Sequence, residues 1–187
     1  DDVVVGAAMQ QGSTGYNVGR QCALRAGLPT SVAGMSLDRQ CASGLMAIAT
    51  GAKQIMFDGM TTVVGGGLES ISLVQNEHAN TWRSQDPELV QRVPAMYISM
   101  LETAEVVSER YGVGRDAQDE YALQSQQRTA AAQAAGRYKD EIAPITATML
   151  VTDRNTGATE ERSVTLDRDE GNRPQTTLAD LQGLKPV

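Results

Sequence analysis

Histidine occurs once in these 187 residues, at His78, and cysteine twice, at Cys22 and Cys41. One histidine excludes a His-rich metal centre and any scheme that draws two histidines from this chain. Two cysteines make neither a disulfide framework nor a zinc cluster, so no metal site is expected. A reduced, cytoplasmic setting is the corresponding expectation. No apolar run approaches the roughly 20 residues that span a bilayer, and no membrane segment is expected. Positive charge is also scarce: 16 Lys and Arg stand against 23 Asp and Glu, a net charge of −7. That balance argues against wholesale binding to nucleic acid or anionic membranes, while leaving room for a locally basic anion site.

What is present is ordinary globular composition, 41% hydrophobic and 21% charged, with enough length to bury a core. Charge is unevenly spread. Residues 1–75 hold nine charged side chains and the remaining 112 hold thirty. We read a core segment over 1–72, rich in Gly, Ala, Val and Met, and a more solvated module over 73–187. The opening Asp1-Asp2-Val3-Val4-Val5 lacks a start methionine and a signal-peptide pattern, and reads as the entry to a strand inside a domain. The closing Lys185-Pro186-Val187 reads as a cut.

Strand and helix alternate in the first part. Residues 3–8 are a β-branched run, residues 17–26 read as a helix stopped by Gly27 and Pro29, and residues 32–37 as a second strand. Residues 42–57 place Leu45, Ile48, Ala49, Ala52, Ile55 and Met56 on one helical face. Thr61 to Val64 is a third strand running into Gly65-Gly66-Gly67. Such alternation implies parallel pairing and an α/β class. After a loop over 75–94 without period, helices are predicted over 100–111 and 116–135, the second capped by Asp116. A hairpin over 142–151 and 159–166 and a short helical turn over 177–181 follow.

Cys41 falls at the turn between the second strand and an amphipathic helix. A thiol there faces orphan backbone N–H groups and the positive end of the helix dipole, both of which favour thiolate. Ala42, Ser43 and Gly44 are small, leaving room for a carbonyl to approach the sulfur, and attack would give a thioester. The competing reading is a small buried hydrophobe, the commonest fate of a free cysteine. Cys22, inside the first helix, reads as structural filler, and His78, in Asn76-Glu77-His78-Ala79-Asn80, as a solvated loop residue. The triple glycine lacks both phosphate-loop spacings, so close packing or a tight turn accounts for it. Arg173, in Asn172-Arg173-Pro174, is a candidate phosphate partner or plain surface.

Asp38-Arg39-Gln40-Cys41-Ala42-Ser43-Gly44-Leu45 resembles the nucleophile motif of thiolases, the acetyl-CoA acyltransferases. Gly66-Gly67-Leu68-Glu69-Ser70-Ile71-Ser72 is similar to the strand end that follows in that family. Met100 with Thr103-Ala104-Glu105, Arg115 to Asp119, Gly136 to Ile142, and Asp169-Glu170 through Leu184-Lys185-Pro186 continue the series in order. The resemblance implies a layered αβαβα fold, incomplete here, with a mainly helical loop domain that binds CoA. It implies that Cys41 attacks a 3-ketoacyl-CoA, releases acetyl-CoA and holds the acyl group until CoA accepts it. It implies no permanently bound cofactor, CoA and acyl-CoA as substrates, and a homodimer or homotetramer. It places Arg173 against the CoA nucleotide and Met100 near the pantetheine and acyl pocket.

Departures accompany it. Ser99 stands where many members have histidine, Leu101 where they have glycine, and Asp180 where some have a CoA-contacting serine. The family's Gly-His-Pro and Cys-x-Gly-Gly-Gly motifs, which activate the nucleophile and move the substrate proton, do not occur in these residues. The alternatives are a ketosynthase-type condensing enzyme, or a non-catalytic CoA- or lipid-binding module.

Overall fold

The structure, a computed structural model, describes residues 1–186; Val187, at the end of the expected cut, lies outside the described residues. The chain divides into two compact units, Asp1–Leu89 and Val90 onward.

In the first unit β1 (Asp2–Gly6) lies between β2 (Ala33–Leu37) and β3 (Val63–Gly67), all three parallel. The continuous run Val3-Val4-Val5 suits a central strand covered on both faces, and all five residues of β1 are buried. The register pairs Val4 with Met35 on one side and Gly65 on the other. Helix α1 (Val18–Arg25) connects β1 to β2, and α2 (Ser43–Phe57) carries the chain from β2 across β1 to β3. Because the second connection runs opposite to the first, right-handed crossovers demand helices on opposite faces. They are found there. Val3 and Val5 pack with Val18 and Ala23 of α1, with Cys22 as half-buried filler. Asp2, Val63 and Gly65 meet α2, where Gln54 Nε2 donates to Asp2 Oδ2 at 2.8 Å.

Helix α2 presents an unexpected side to the sheet. The residues it buries are Ser43, Ala47 and Gly51, whereas Leu45, Ile48, Ile55 and Met56 are exposed. Small side chains let the helix axis approach the strands closely, and the triple glycine completes the fit. A Cβ at Gly65 would stand 3.0 Å from Ile48 Cα, and one at Gly67 2.9 Å from Gly44 Cα. Close packing therefore explains Gly65 and Gly67, which sit within β3 rather than in a turn after it. A short helix α3 (Ile71–Val74) precedes the segment read as loop over 75–94, α4 (Pro87–Arg92) lies within it, and a 3-10 turn (Pro94–Tyr97) follows at its end. Their length falls below what periodicity can register.

The second unit contains α5 (Met100–Tyr111), α6 (Arg115–Ala134), the antiparallel hairpin β4 (Ile145–Thr152) and β5 (Thr159–Leu166), and α7 (Leu178–Gln182). Helix α6 begins one residue before the expected Asp116, with Gly114 as its cap residue. Arg115 belongs inside the helix because its guanidinium reaches one turn on to the buried Asp119, Nε to Oδ1 at 2.8 Å. The same group donates to the carbonyls of Leu181 and Leu184, fastening the α7 segment to α6. Strand β4 starts after Pro144 rather than at Ile142, whose N–H is spent on Tyr138 O in the preceding turn. Among the described residues no helix is long and apolar enough to cross a membrane, and no cluster of His, Cys, Asp and Glu could hold a metal ion.

Candidate active site

The turn from β2 into α2 is shaped by side chains that bind their own backbone. Asp38 Oδ1 accepts the Gln40 N–H at 2.6 Å. The Ser43 hydroxyl accepts the Arg39 N–H at 2.9 Å and donates to the Gln40 carbonyl at 2.6 Å. The Ala42 and Ser43 amides close back on Arg39 O and Gln40 O. Between these ties Gln40 is held at φ +50°, the left-handed region that costs a side-chain-bearing residue roughly 1–2 kcal/mol. Such strain persists where surrounding bonds over-determine it. The next residue, Cys41, is exposed and unbridged, at the amino end of a 15-residue helix. Ser43, read from sequence only as a small neighbour leaving space, is buried and is the clasp of this turn.

Cys41 opens onto a cavity of about 580 Å³ at the carboxyl ends of the three strands. That is where open α/β sheets place ligands, in the crevice at the strand ends. One wall is the chain leaving β1, Gly6 to Met9; the other is the chain leaving β3, Gly67 to Glu69, with Ile71. The floor is backbone against backbone. A Cβ on Gly6 would overlap the Ser43 carbonyl carbon, so glycine alone allows the end of β1 to lie under the first turn of α2. Glu69 ties the walls together, one carboxylate oxygen accepting the N–H groups of Ala8 at 2.8 Å and Met9 at 3.2 Å. Reasoning from residue chemistry missed Glu69; its signal was an acidic residue directly beyond a glycine-rich strand.

The other candidates lie elsewhere. His78 is exposed, with Nε2 3.6 Å from Glu77 Oε1, and does not line the cavity. Met100, in the second unit, is the first residue of α5 and is exposed. Helix α5 starts on a reciprocal cap in which Ser99 and Glu102 each bond the other's backbone N–H. Arg173 belongs to the loop between β5 and α7, whose backbone is pinned by Gln126: Oε1 accepts the Arg173 N–H and an Asn172 Nδ2–H, both at 2.8 Å. Its guanidinium has no ion pair among the described residues. A wider cavity of about 820 Å³ beside this loop is lined by Lys139 and Arg168 but also by Asp167 and Glu170, and neither Arg173 nor Met100 lines it. Asp180 forms the cap of α7 with Thr177, and this bonding holds its carboxyl below the usual carboxylate range.

Residues 1–187 match the family model described as thiolase, N-terminal domain. The chain is similar to 3-ketoacyl-CoA thiolase of Bacillus subtilis, 38% identical over 187 residues, covering all of this chain and 47% of that protein. It is similar to peroxisomal 3-ketoacyl-CoA thiolase 2 of Arabidopsis thaliana, 40% identical over 189 residues, covering 100% of this chain and 39% of that one. Among solved structures, human mitochondrial 3-ketoacyl-CoA thiolase in complex with CoA superposes with a TM-score of 0.77 at 34% identity, covering all of this chain and 46% of that one. The chain thus spans less than half the length of these relatives.

Proposed function

The chain belongs to the thiolase family, whose members named above are enzymes of acyl-CoA chemistry, and from that membership we propose that it carries the nucleophile of a thiolase-type acyltransferase. The observation that carries this reading is the turn at Cys41, which presents an unbridged thiol to a cavity at the carboxyl ends of β1 and β3. Cys41 sulfur adds to the C3 carbonyl of a 3-ketoacyl-CoA. The C2–C3 bond then breaks, its electron pair leaving as the acetyl-CoA enolate, which takes up a proton. Cys41 retains the acyl group as a thioester until the CoA thiol displaces it. Run in reverse from acetyl-CoA, the same steps form a carbon–carbon bond. Backbone N–H groups at the start of α2 are suited to charge developing on the acyl oxygen.

The cavity walls described above contain no histidine; the family resemblance implies that the Gly-His-Pro and Cys-x-Gly-Gly-Gly motifs, which do not occur in these residues, deprotonate Cys41 and handle the substrate proton. Residues 73–187 are assigned to CoA binding, with Arg173 at the nucleotide phosphates and Met100 at the pantetheine and acyl end; a guanidinium without an ion pair among the described residues supports the first. A cytoplasmic enzyme, acting as a homodimer or homotetramer on soluble CoA thioesters, completes the reading.

The test is an intact mass of the protein as its gene encodes it, before and after acetoacetyl-CoA, with the adduct mapped by peptide sequencing. An acyl group on Cys41, absent from Cys41→Ala, is the expected outcome. No adduct on Cys41 would leave a CoA-binding module without the transfer reaction.

A further inference from the structure

We propose that Glu69 is a positioning residue for acyl transfer at Cys41, a latch that fixes the two walls of the nucleophile's cavity at the spacing the acyl group requires. The inference rests on the reading of Cys41 as the acyl carrier and adds the residue that holds the acyl-facing walls.

Three observations converge on it. The walls are loops, not regular structure. Beyond β1 the chain runs through Ala7, Ala8 and Met9, and beyond β3 through Leu68 and Glu69, with no ladder bonds to hold one against the other past Gly6 and Gly67. The last backbone tie between them is the Leu68 N–H to the Gly6 carbonyl at 3.0 Å. Between the cavity walls themselves, past that point, the hydrogen bonds converge on one side-chain atom, Glu69 Oε2, which takes the Ala8 and Met9 amides 61 and 60 residues away; the next tie lies farther along both chains, where the Asn80 N–H donates to Gln11 Oε1 at 2.7 Å. Charge-assisted bonds of this kind are the stronger class, and two on one oxygen fix both the height and the tilt of the loop. Ala8, Met9, Glu69 and Cys41 all line the same cavity. Displacing the Met9 wall changes where an acyl chain rests relative to the sulfur while leaving the sulfur on its own clasp, Asp38 and Ser43, untouched.

The test compares Glu69→Ala and Glu69→Gln with wild type in the protein as its gene encodes it. The rate of Cys41 acylation by acetoacetyl-CoA is measured beside the rate of Cys41 alkylation by iodoacetamide, which needs the sulfur but not the walls. Misplacement of this order costs about ten- to a hundredfold in rate. Glu69→Ala is expected to lose that much acylation, with alkylation changed less than about twofold and amide exchange at Ala8 and Met9 accelerated. Glu69→Gln, whose amide oxygen still accepts, is expected to recover most of the acylation rate. Unchanged acylation in Glu69→Ala overturns the proposal, as does a parallel fall in alkylation, which would mean the thiol itself had moved. If wild type takes no acyl group on Cys41, the acyltransferase reading fails and the positioning role with it. If wild type is acylated and Glu69→Ala is indifferent, only the latch fails.

Discussion

Ser43 shows how one hydroxyl sets the reach of another residue's chemistry. It bonds the backbone of the two residues before Cys41, the Arg39 N–H and the Gln40 carbonyl, from a buried position, in a turn whose left-handed Gln40 relaxes once those bonds are gone. Ser43→Ala removes the side-chain partner of the Arg39 N–H and one of the two donors to the Gln40 carbonyl, which keeps the Ser43 amide, at a cost of about 1 kcal/mol. A lowered thermal midpoint with slower acylation and slower alkylation of Cys41 is expected, in contrast to a wall variant, which spares alkylation. From sequence, the position of Cys41 at the turn followed from the strand-to-helix switch, whereas its exposure stood open against the reading of a small buried hydrophobe. The bonds that make the turn did not follow, because Ser43 pointing inward and Ser43 pointing toward a substrate read alike in one dimension.

At the scale of elements, the sharpest case is the seam between β1, β3 and α2. Gly6, which lines the cavity, and Gly66, the residue before the lining Gly67, are both strand glycines, yet their surroundings differ. A methyl at Gly6 meets backbone that cannot yield, whereas at Gly66 nothing lies within 4 Å. Gly6→Ala is expected to destabilise by about 3 kcal/mol and Gly66→Ala by little, a difference readable in urea midpoints. The order and type of these elements were legible because β-branched runs alternated with amphipathic ones. The buried face of α2 was not: its apolar stripe points away from the sheet, and Ser43, Ala47 and Gly51 do the packing. Hydrophobicity marks what avoids water; close approach selects what is small. In the second unit, Asp180, Glu102 and Asp153 are all held below their ordinary values by bonds to neighbouring hydroxyls and amides, from Thr177, Ser99 and Thr156 first in each case. A carboxyl lowered on folding lends stability above its unfolded value that is lost as pH falls through the folded one. Fraying of α5, α7 and the hairpin turn is therefore expected only below about pH 4, and helicity followed by circular dichroism across that range checks it. The Arg115 clamp is a separate support. Arg115→Met strands the buried Asp119 and frees Leu181 and Leu184, and about 2 kcal/mol of stability in this unit should go with it.

For the whole molecule, the side of α2 turned from the sheet carries Leu45, Met56 and Phe57 at 72%, 70% and 76% exposure. Contiguous apolar surface of this kind promotes association. These 187 residues expressed alone should self-associate and bind a hydrophobic dye, with sedimentation coefficients rising with concentration, while Leu45→Lys with Met56→Lys should suppress both. Family membership was legible because its motifs occur in order along the chain, although that order leaves the acyl chain length unread. The seam of Gly6, Gly44 and Gly67 under the cysteine turn separates two kinds of freedom. Where backbone touches backbone there is no side chain to vary, so the turn presenting Cys41 has almost no room to drift. The large apolar side chains of the cavity are Met9, Leu68 and Ile71, on the overlying loops. A lineage built on this frame can explore new acyl groups by exchanging three side chains, without ever gambling the nucleophile.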